Sequence, residues 1–461
     1  MLNRLFLWAV IVTLGSAASA AQHPAETLPD APSSPPQTQS PAIQNNPPGP
    51  STANPTLTRQ QAEQSAIKNN PNISVAVLLA RAQTEHVRVT RSALFPDLNG
   101  DLTGVDAEEA SRISTGSLTA SRLLYHAGAG MEIDQLITDF GRTRNLIASS
   151  SFQAKAADQR SQATRDDIVL ATDMAFYRAL RAQATLKVAQ STVKARTDVS
   201  DQVSALTASK LKSTLDQSFA QVNLSQAQLF ELDAQNEYDA SIASLNELLG
   251  TTNDTHYQLI DDLSLPQPVA PTAEAVITLA LQQRPDLLAL ADTHQADVRF
   301  AHAQRDQLLP TISGLGVVGL TPVGSKQYFI DNWYGAAGVN ISIPIFNGFK
   351  FHAQAAEATI RANASGEQQR ALVDQIVRDV RTAWLTAQSA QQRMSVAAQL
   401  LKQANLALDL ATTRYQLGLS SIVELSQAQL QQTQAQIDNA NARFEYEQDL
   451  AALRFESGSQ P

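Results

Sequence analysis

The chain has 461 residues, with 34 basic and 44 acidic side chains and no cysteine. The net charge of −10 disfavours nucleic acid as a partner, because phosphate binding needs a net basic surface. The lack of cysteine excludes disulfides, thiol nucleophiles, Cys-ligated zinc and a lipid anchor on an N-terminal cysteine.

The first twenty residues have the pattern of a signal peptide that is cleaved after export. Arg4 supplies the positive charge, residues 5–14 are apolar, and Ala18-Ser19-Ala20 forms an A-x-A cleavage site. The apolar stretch is shorter than the roughly 20 residues that a membrane-spanning helix needs. Residues 21–56 hold 10 of the 20 prolines, which predicts a disordered leader that serves as a tether.

Short motifs recur at constant spacing in the rest of the chain, which predicts two structural repeats. The first two of the following motif pairs are 214 residues apart and the last two 208: Asn70-Pro71 with Arg284-Pro285, Phe95-Pro96 with Leu309-Pro310, Asp216 with Glu424, and Gly250 with Gly458. The difference of six residues predicts one change in loop length. We expect a first repeat at 57–250, a linker at 251–271 and a second repeat at 272–458, each with a helix, two strands and a helical hairpin.

Two glycine-rich windows, at about 95–138 and 309–346, predict two strands in each repeat. Apolar and polar residues alternate along them, with Met131, Ile133, Val339, Ile341, Ile343 and Ile345 on the apolar side. Such alternation is typical of a transmembrane β-barrel, but also of a soluble antiparallel sheet. Four strands cannot close a barrel, so the barrel hypothesis requires an oligomer, and three copies would supply twelve strands. The residues facing its lumen would be Glu132, Asp134, Asn340 and Ser342.

The second window also contains a possible enzyme signature. Residues 314–319 fit the pattern G-x-G-x-x-G, but a dinucleotide site needs a helix to start there, and Thr321-Pro322 follows instead. We therefore assign these glycines to a strand. The sequence predicts no catalytic, cofactor or metal site.

Very long helices are predicted between and after the strand windows. Residues 142–249 form a run of 108 without glycine or proline, whereas ordinary domains have turns far more often. A helix from Gly141 to about Ala208 would be roughly 100 Å long. The hairpins at 141–250 and 349–456 carry alanines at heptad spacing, which predicts close-packed coiled coils: Ala220, Ala227, Ala234, Ala428, Ala435 and Ala442.

Together these features resemble the TolC-like outer-membrane efflux protein family over about residues 57–458. The motifs that carry the resemblance are Asn70-Pro71, Arg284-Pro285, Pro96, Pro310, the run from Ser342 to Gly348, and Arg414-Tyr415-Gln416-Leu417-Gly418. The resemblance implies a mixed α and β membrane protein, a homotrimer with a twelve-stranded barrel in outer-membrane lipid and a coiled-coil tunnel across the periplasm. It also implies opening by a periplasmic adaptor and an inner-membrane pump, with no catalysis by the channel.

The family pattern can be transferred to the break in the second hairpin. There the family has a tyrosine, a glycine, a basic residue and two acidic residues that narrow the pore. Tyr415, Gly418 and Glu424 match, whereas Ser420 stands at the basic position and Gln427 at the second acidic position. At the first break Leu211 and Asp216 match, and Lys210 replaces the expected glycine.

The resemblance therefore implies two groups of site residues. The pore constriction comprises Asp216, Tyr415, Ser420, Glu424 and Gln427. The adaptor-contacting tips comprise Lys210, Leu211, Ser213, Gly418 and Leu419. Three copies of Glu424 near the axis would concentrate negative potential and favour cations, although a solvated helix-face charge is the alternative. A periplasmic coiled-coil scaffold without a pore is the alternative function, but it gives the glycine-rich windows no role.

Overall fold

The computed structural model describes residues 55–106, 125–251, 255–261, 268–320 and 333–459. The predicted signal peptide and nearly all of the predicted leader lie outside the described residues. In the first half of the chain the elements are β1 (Thr56–Leu57), α1 (Arg59–Asn69), α2 (Pro71–Ser92), β2 (Asp97–Asp106), β3 (Tyr125–Thr138), α3 (Arg142–Ala208) and α4 (Thr214–Leu248). In the second half they are β4 (Gln258–Leu259), α5 (Ala273–Gln283), α6 (Pro285–Asp306), β5 (Thr311–Leu320), β6 (Trp333–Ser342), α7 (Lys350–Gln416) and α8 (Ile422–Glu456).

The two halves follow the same order of elements. Matching helices have the same lengths: 11 residues for α1 and α5, 22 for α2 and α6, 67 for α3 and α7, and 35 for α4 and α8. The spacing between halves is 214 residues from the start of α1 to the start of β2, and the element starts are 208 residues apart from β3 onward. The change of six residues therefore falls in the connection between the paired strands.

Two short helices, rather than the single helix expected from the sequence, precede the strands in each half. The break falls at Asn70-Pro71 and Arg284-Pro285, because the residue before a proline is disfavoured in helical conformation. Pro71 then occupies the first turn of α2, where its missing N–H has no helical partner to lose. The Asn70 side chain caps the new helix by accepting a hydrogen bond from the Asn72 backbone N–H at 2.9 Å.

The strands β2, β3, β5 and β6 form one antiparallel sheet in that order. Its register places the four residues predicted to face a lumen, Glu132, Asp134, Asn340 and Ser342, on one face. The opposite face carries Met131, Ile133, Val339 and Ile341. The predicted alternation is thus confirmed at these eight positions, whereas Leu136, Leu315 and Val317 lie on the same face as Glu132 and Asp134. Residues 314–319 lie inside β5.

Strand β6 ends earlier than the sequence suggested. Ile343 and Ile345 were expected to continue the apolar face, but the strand stops at Ser342. Pro344 explains the difference, because proline has no N–H to contribute to a strand ladder. The predicted linker, in contrast, contains a strand that was not expected. Gln258–Leu259 forms β4, which pairs with β1 in parallel.

The hairpins end where the short helices begin. The Asn70 side chain donates to the backbone carbonyl of Leu248 at 3.0 Å, so α4 meets the start of α2. A Cβ on Gly250 would lie 2.6 Å from the Asn69 carbonyl oxygen. At the equivalent junction of α8 and α6, a Cβ on Gly458 would lie 3.0 Å from the Arg284 nitrogen. The recurrence of glycine at both positions follows from this close backbone approach.

The core of the long hairpins consists of small residues. The six heptad alanines are all buried, with exposed fractions of 8 % or less, as the coiled-coil prediction requires. Gly366, in the middle of α7, belongs to the same type of packing, because a Cβ there would lie 3.2 Å from the ring of His294 on α6. None of the helices in the described ranges is both long and apolar enough to cross a membrane.

Candidate functional site

The site residues predicted from the sequence gather at the tips of the two hairpins, where each long helix turns into its returning helix. We call residues 209–213, between α3 and α4, the first tip, and residues 417–421, between α7 and α8, the second tip. Both turns end in a serine cap. The Ser213 hydroxyl accepts from the Asp216 backbone N–H at 3.1 Å, and the Ser421 hydroxyl accepts from the Glu424 backbone N–H at 3.3 Å.

The caps explain why an acidic residue recurs at this position. The first helical turn favours negative charge, because its backbone N–H groups point toward the helix start. In the first tip the Asp216 carboxylate also accepts a hydrogen bond from the Ser213 backbone N–H at 3.3 Å, which completes a capping box. Asp216 and Glu424 are therefore fixed near the ends of the hairpins by local helix chemistry.

The two tips have the same backbone shape although their sequences differ. Lys210 and Gly418 both adopt positive φ, at 60° and 73° respectively. The next residue is Leu211 in the first tip and Leu419 in the second. Each donates its backbone N–H to the carbonyl five residues earlier, at 2.9 Å and 2.8 Å respectively. These leucine side chains are 72 % and 66 % exposed. The tips thus present apolar surface at the ends of the hairpins.

Tyr415 joins the two hairpins. Its side chain is only 5 % exposed and packs with Val203, Ala220, Ile422 and Leu425, so the ring lies inside the chain rather than facing an open passage. Burial, and secondarily the Asp216 carboxylate, raises the pKa of Tyr415. The Lys212 ammonium of the first tip lies 4.5 Å from the centre of the Tyr415 ring, a cation–π distance. This contact connects the first tip to the second hairpin.

Glu424 has a charged partner within its own chain. The Arg414 Nε lies 3.1 Å from Glu424 Oε1 in an ion pair, and both side chains are about half exposed. Gln427 is exposed on α8 and cannot extend an acidic ring. The Ser420 hydroxyl is buried and has no hydrogen-bond partner among the described residues.

Two residues of this site were missed in the sequence, Lys212 and Arg414. Lys212 lies 208 residues before Ser420, so the repeat spacing would have identified it as the first-tip equivalent of the missing basic position. Arg414 was part of a recognised motif, but its distance of ten residues from Glu424 does not indicate contact unless the turn geometry is known.

In the described part of the chain, the helix layer at the tips and the sheet each have two outer elements that pack against neighbours on one side only. At the tips, α3 packs against α4 and α8, and α8 packs against α7, which leaves α4 and α7 outermost. Both carry exposed apolar side chains, which are Leu215, Val222, Leu229 and Leu232 on α4 and Val396, Leu400, Leu406 and Leu410 on α7. In the sheet, β2 and β6 are the edge strands. A lone chain of this shape exposes edges that favour association.

Comparisons with known proteins agree with this architecture. A family model described as outer membrane efflux protein matches residues 62–251 and 276–459. The chain is 24 % identical over 430 residues to outer membrane protein TolC of Escherichia coli (strain K12), covering 85 % of this chain and 83 % of that protein. It is 25 % identical over 390 residues to outer membrane efflux protein BepC of Brucella suis biovar 1 (strain 1330), covering 79 % and 77 %. The crystal structure of a membrane protein from Pseudomonas aeruginosa superposes with a TM-score of 0.76 at 20 % identity, covering 87 % of this chain and 93 % of that one.

Proposed function

Because this chain belongs to the outer membrane efflux protein family, we propose that it forms the outer-membrane channel of a tripartite efflux or type I secretion system. Such a channel gives passive passage from the periplasm to the exterior. The observation that carries the proposal is the sheet with one mainly polar and one mainly apolar face, which leads into helices of 67 residues. At 1.5 Å per residue these helices are about 100 Å long.

A homotrimer accounts for the open edges. If β6 of one copy pairs with β2 of the next, three copies give a closed twelve-stranded barrel whose apolar face meets outer-membrane lipid and whose polar face lines the lumen. Glu132, Asp134, Asn340 and Ser342 then lie in the lumen. The same rotation brings the exposed leucines of α7 against those of α4 in the neighbouring copy, which buries both apolar stripes and closes a helical tunnel across the periplasm.

The tips form the periplasmic end of the tunnel in this proposal. Their exposed residues Lys210, Leu211, Ser213, Gly418 and Leu419 contact a periplasmic adaptor, which works with an inner-membrane pump. The contact of Lys212 with Tyr415 holds the two hairpins of one chain together. When this end of the tunnel opens, either the Lys212–Tyr415 contact breaks or the two hairpins move together.

The constriction combines Asp216 and Glu424 with Ser420 and Gln427, with Tyr415 packed behind them. Because each Glu424 is paired with Arg414, the proposed ring has a weaker negative potential than three free carboxylates would give. Removing the Glu424 carboxylate should therefore lower the preference for cations, and removing the Arg414 guanidinium should raise it.

The first experiment separates the channel from the periplasmic scaffold. Outer-membrane extracts are run on a denaturing gel with and without heating. A barrel trimer should enter the gel as a high-mass band that converts to the monomer on heating. If the protein instead fractionates with the soluble periplasm and runs as a monomer in both lanes, the channel proposal is wrong and the scaffold is favoured.

The second experiment tests the constriction in single-channel recordings of the purified protein. Glu424→Gln should weaken block by divalent cations, and Arg414→Gln should strengthen it, because it frees the carboxylate. Asp233→Asn, which removes an exposed carboxylate on α4 far from the tips, serves as the control and should leave block unchanged. Equal block in all four proteins would refute the acidic ring without touching the channel proposal.

A further inference from the structure

A buried arginine lies inside the wall formed by the hairpins. Arg196, on α3, is only 8 % exposed, and its guanidinium donates one hydrogen bond, to the Gln429 side chain of α8. No carboxylate pairs with Arg196 in the part of the chain that the structure describes. Burial lowers the pKa of Arg196, but a guanidinium remains charged at neutral pH. The wall therefore holds an uncompensated positive charge.

Packing of the hairpin does not require an arginine at this position. The equivalent residue in the second repeat, 208 positions later, is Ala404, which is 8 % exposed and belongs to the alanine seam of α7. The same helix pair can thus be built with a small apolar residue. Burying a charge without a counter-charge is unfavourable because the charge loses its hydration, so the arginine at position 196 opposes stability unless something neutralises it.

The guanidinium lines a cavity of about 210 Å³ between α3, α4 and α8. This volume holds several water-sized groups, since one water occupies about 30 Å³ of the liquid. The polar side chains around the cavity are hydroxyls and amides, and no acidic residue lines it: Thr192, Asn223, Gln226, Thr433 and Gln434. The amide of Gln226 makes no hydrogen bond within the described residues. The Thr192 and Thr433 hydroxyls already donate to backbone carbonyls of their own helices, and the Asn223 and Gln434 amides each donate one hydrogen bond within the chain. The cavity therefore offers one positive charge and the remaining N–H groups of its amides.

We propose that the Arg196 cavity binds a small oxyanion, such as phosphate, sulfate or the carboxylate of a small acid. A guanidinium presents parallel N–H groups that match two oxygens of such an anion, and the amide N–H groups not already used within the chain supply further donors. The bound anion neutralises Arg196 and contacts the first hairpin through α3 and α4 and the second through α8. It therefore acts as a bridge between the two hairpins of one chain.

The test uses the purified full-length protein and does not depend on transport. Thermal unfolding and isothermal titration are measured with sodium phosphate and sodium sulfate, against sodium chloride at equal ionic strength. We expect the melting temperature to rise with the logarithm of oxyanion concentration. Arg196→Gln should weaken oxyanion binding at least tenfold, and Arg196→Lys, which keeps the charge but loses the planar fork, should give an intermediate affinity.

Two further variants keep the proposal falsifiable. Lys194→Gln removes an exposed positive charge two residues away and should leave binding unchanged. Gln226→Met keeps Arg196 but removes a donor from the cavity, so it should weaken binding even if Arg196→Gln does not assemble. The proposal is overturned if phosphate and sulfate stabilise no more than chloride, or if Lys194→Gln loses as much affinity as Gln226→Met. Neither result would bear on the channel function.

Discussion

Two buried carboxyl groups meet where α1 packs on α3, and their proximity makes stability depend on pH. Asp173 is 3 % exposed and Glu63 is 5 % exposed. Arg59 contacts both, with its Nη1 3.4 Å from Asp173 Oδ2. Burial, together with the neighbouring Glu63 carboxyl, raises the pKa of Asp173 from 3.8 to about 7. Between pH 3.8 and about pH 7, Asp173 is therefore protonated in the folded protein and ionised in the unfolded chain.

The size and sign of the effect follow from proton linkage. A pKa raised from 3.8 to about 7 corresponds to about 4 kcal/mol, at 1.36 kcal/mol for each tenfold step. Because the folded state binds the proton more tightly, the stabilisation is complete below the unfolded pKa and is lost as the pH rises toward 7. Between pH 5 and pH 7 the loss is about 2 kcal/mol. With an unfolding entropy near 2.1 cal/mol/K per residue, this lowers the melting temperature by about 2 °C.

Asp173→Asn removes the titration while keeping the shape of the side chain and an oxygen for Arg59. The melting temperature of the variant, followed by circular dichroism from pH 5 to pH 8, should lack the decrease assigned to Asp173. The variant should also be more stable than the parent protein at pH 8. Asp233→Asn is the control and should retain the full decrease. If the parent and Asp173→Asn proteins show parallel pH profiles, the buried pair does not hold the proton and the argument fails.

Three substitutions test the backbone and packing arguments by thermal unfolding. Gly250→Ala should destabilise by about 2 kcal/mol, because its Cβ would meet the Asn69 carbonyl oxygen at 2.6 Å; an unchanged melting temperature would contradict the close approach. Gly366→Ala should stabilise the His294→Ala variant by about 1 kcal/mol, but not the parent protein, where the new Cβ meets the His294 ring. Equal effects in the parent protein and in His294→Ala would rule out the ring contact. Lys210→Gly should stabilise by up to about 1 kcal/mol by relieving the positive φ, and a loss of stability would show that the lysine side chain outweighs the strain.

The helices and the sheet faces could be predicted because the chemistry that defines them is local. The missing glycine and proline between residues 142 and 249 placed the long helix from Gly141 to about Ala208, against an observed range of Arg142–Ala208. Alternating side chains assigned Met131 and Glu132 to opposite faces without knowledge of the partner strands. The errors were also local, since Pro344 prevents the strand from continuing to Ile345 as the alternation predicted, and β6 ends at Ser342.

The contacts between the hairpins could not be predicted in the same way. The Lys212–Tyr415 contact joins residues 203 positions apart, and no periodicity in either helix points to it. Strand β4 consists of only two residues, too few to show alternation, and it exists because β1 lies beside it. The fold could thus be inferred from short-range signals, whereas the Lys212 contact of Tyr415 depends on how the two hairpins pack and the Arg414 contact of Glu424 on the geometry of the second turn.

The two tips share a backbone but differ in charge, and the proposed ring gives that difference a physical reason. The first tip carries Lys210 and Lys212, and the equivalent positions in the second tip are Gly418 and Ser420. In a closed ring of three copies, first and second tips alternate around the axis. Each first tip then lies between two second tips, which have the uncharged Gly418 and Ser420 in place of the lysines. The lysines of neighbouring copies are therefore separated by a second tip, which lowers their repulsion. Two identical basic tips would instead place lysines side by side all around the ring, so the divergence of the repeats favours closure.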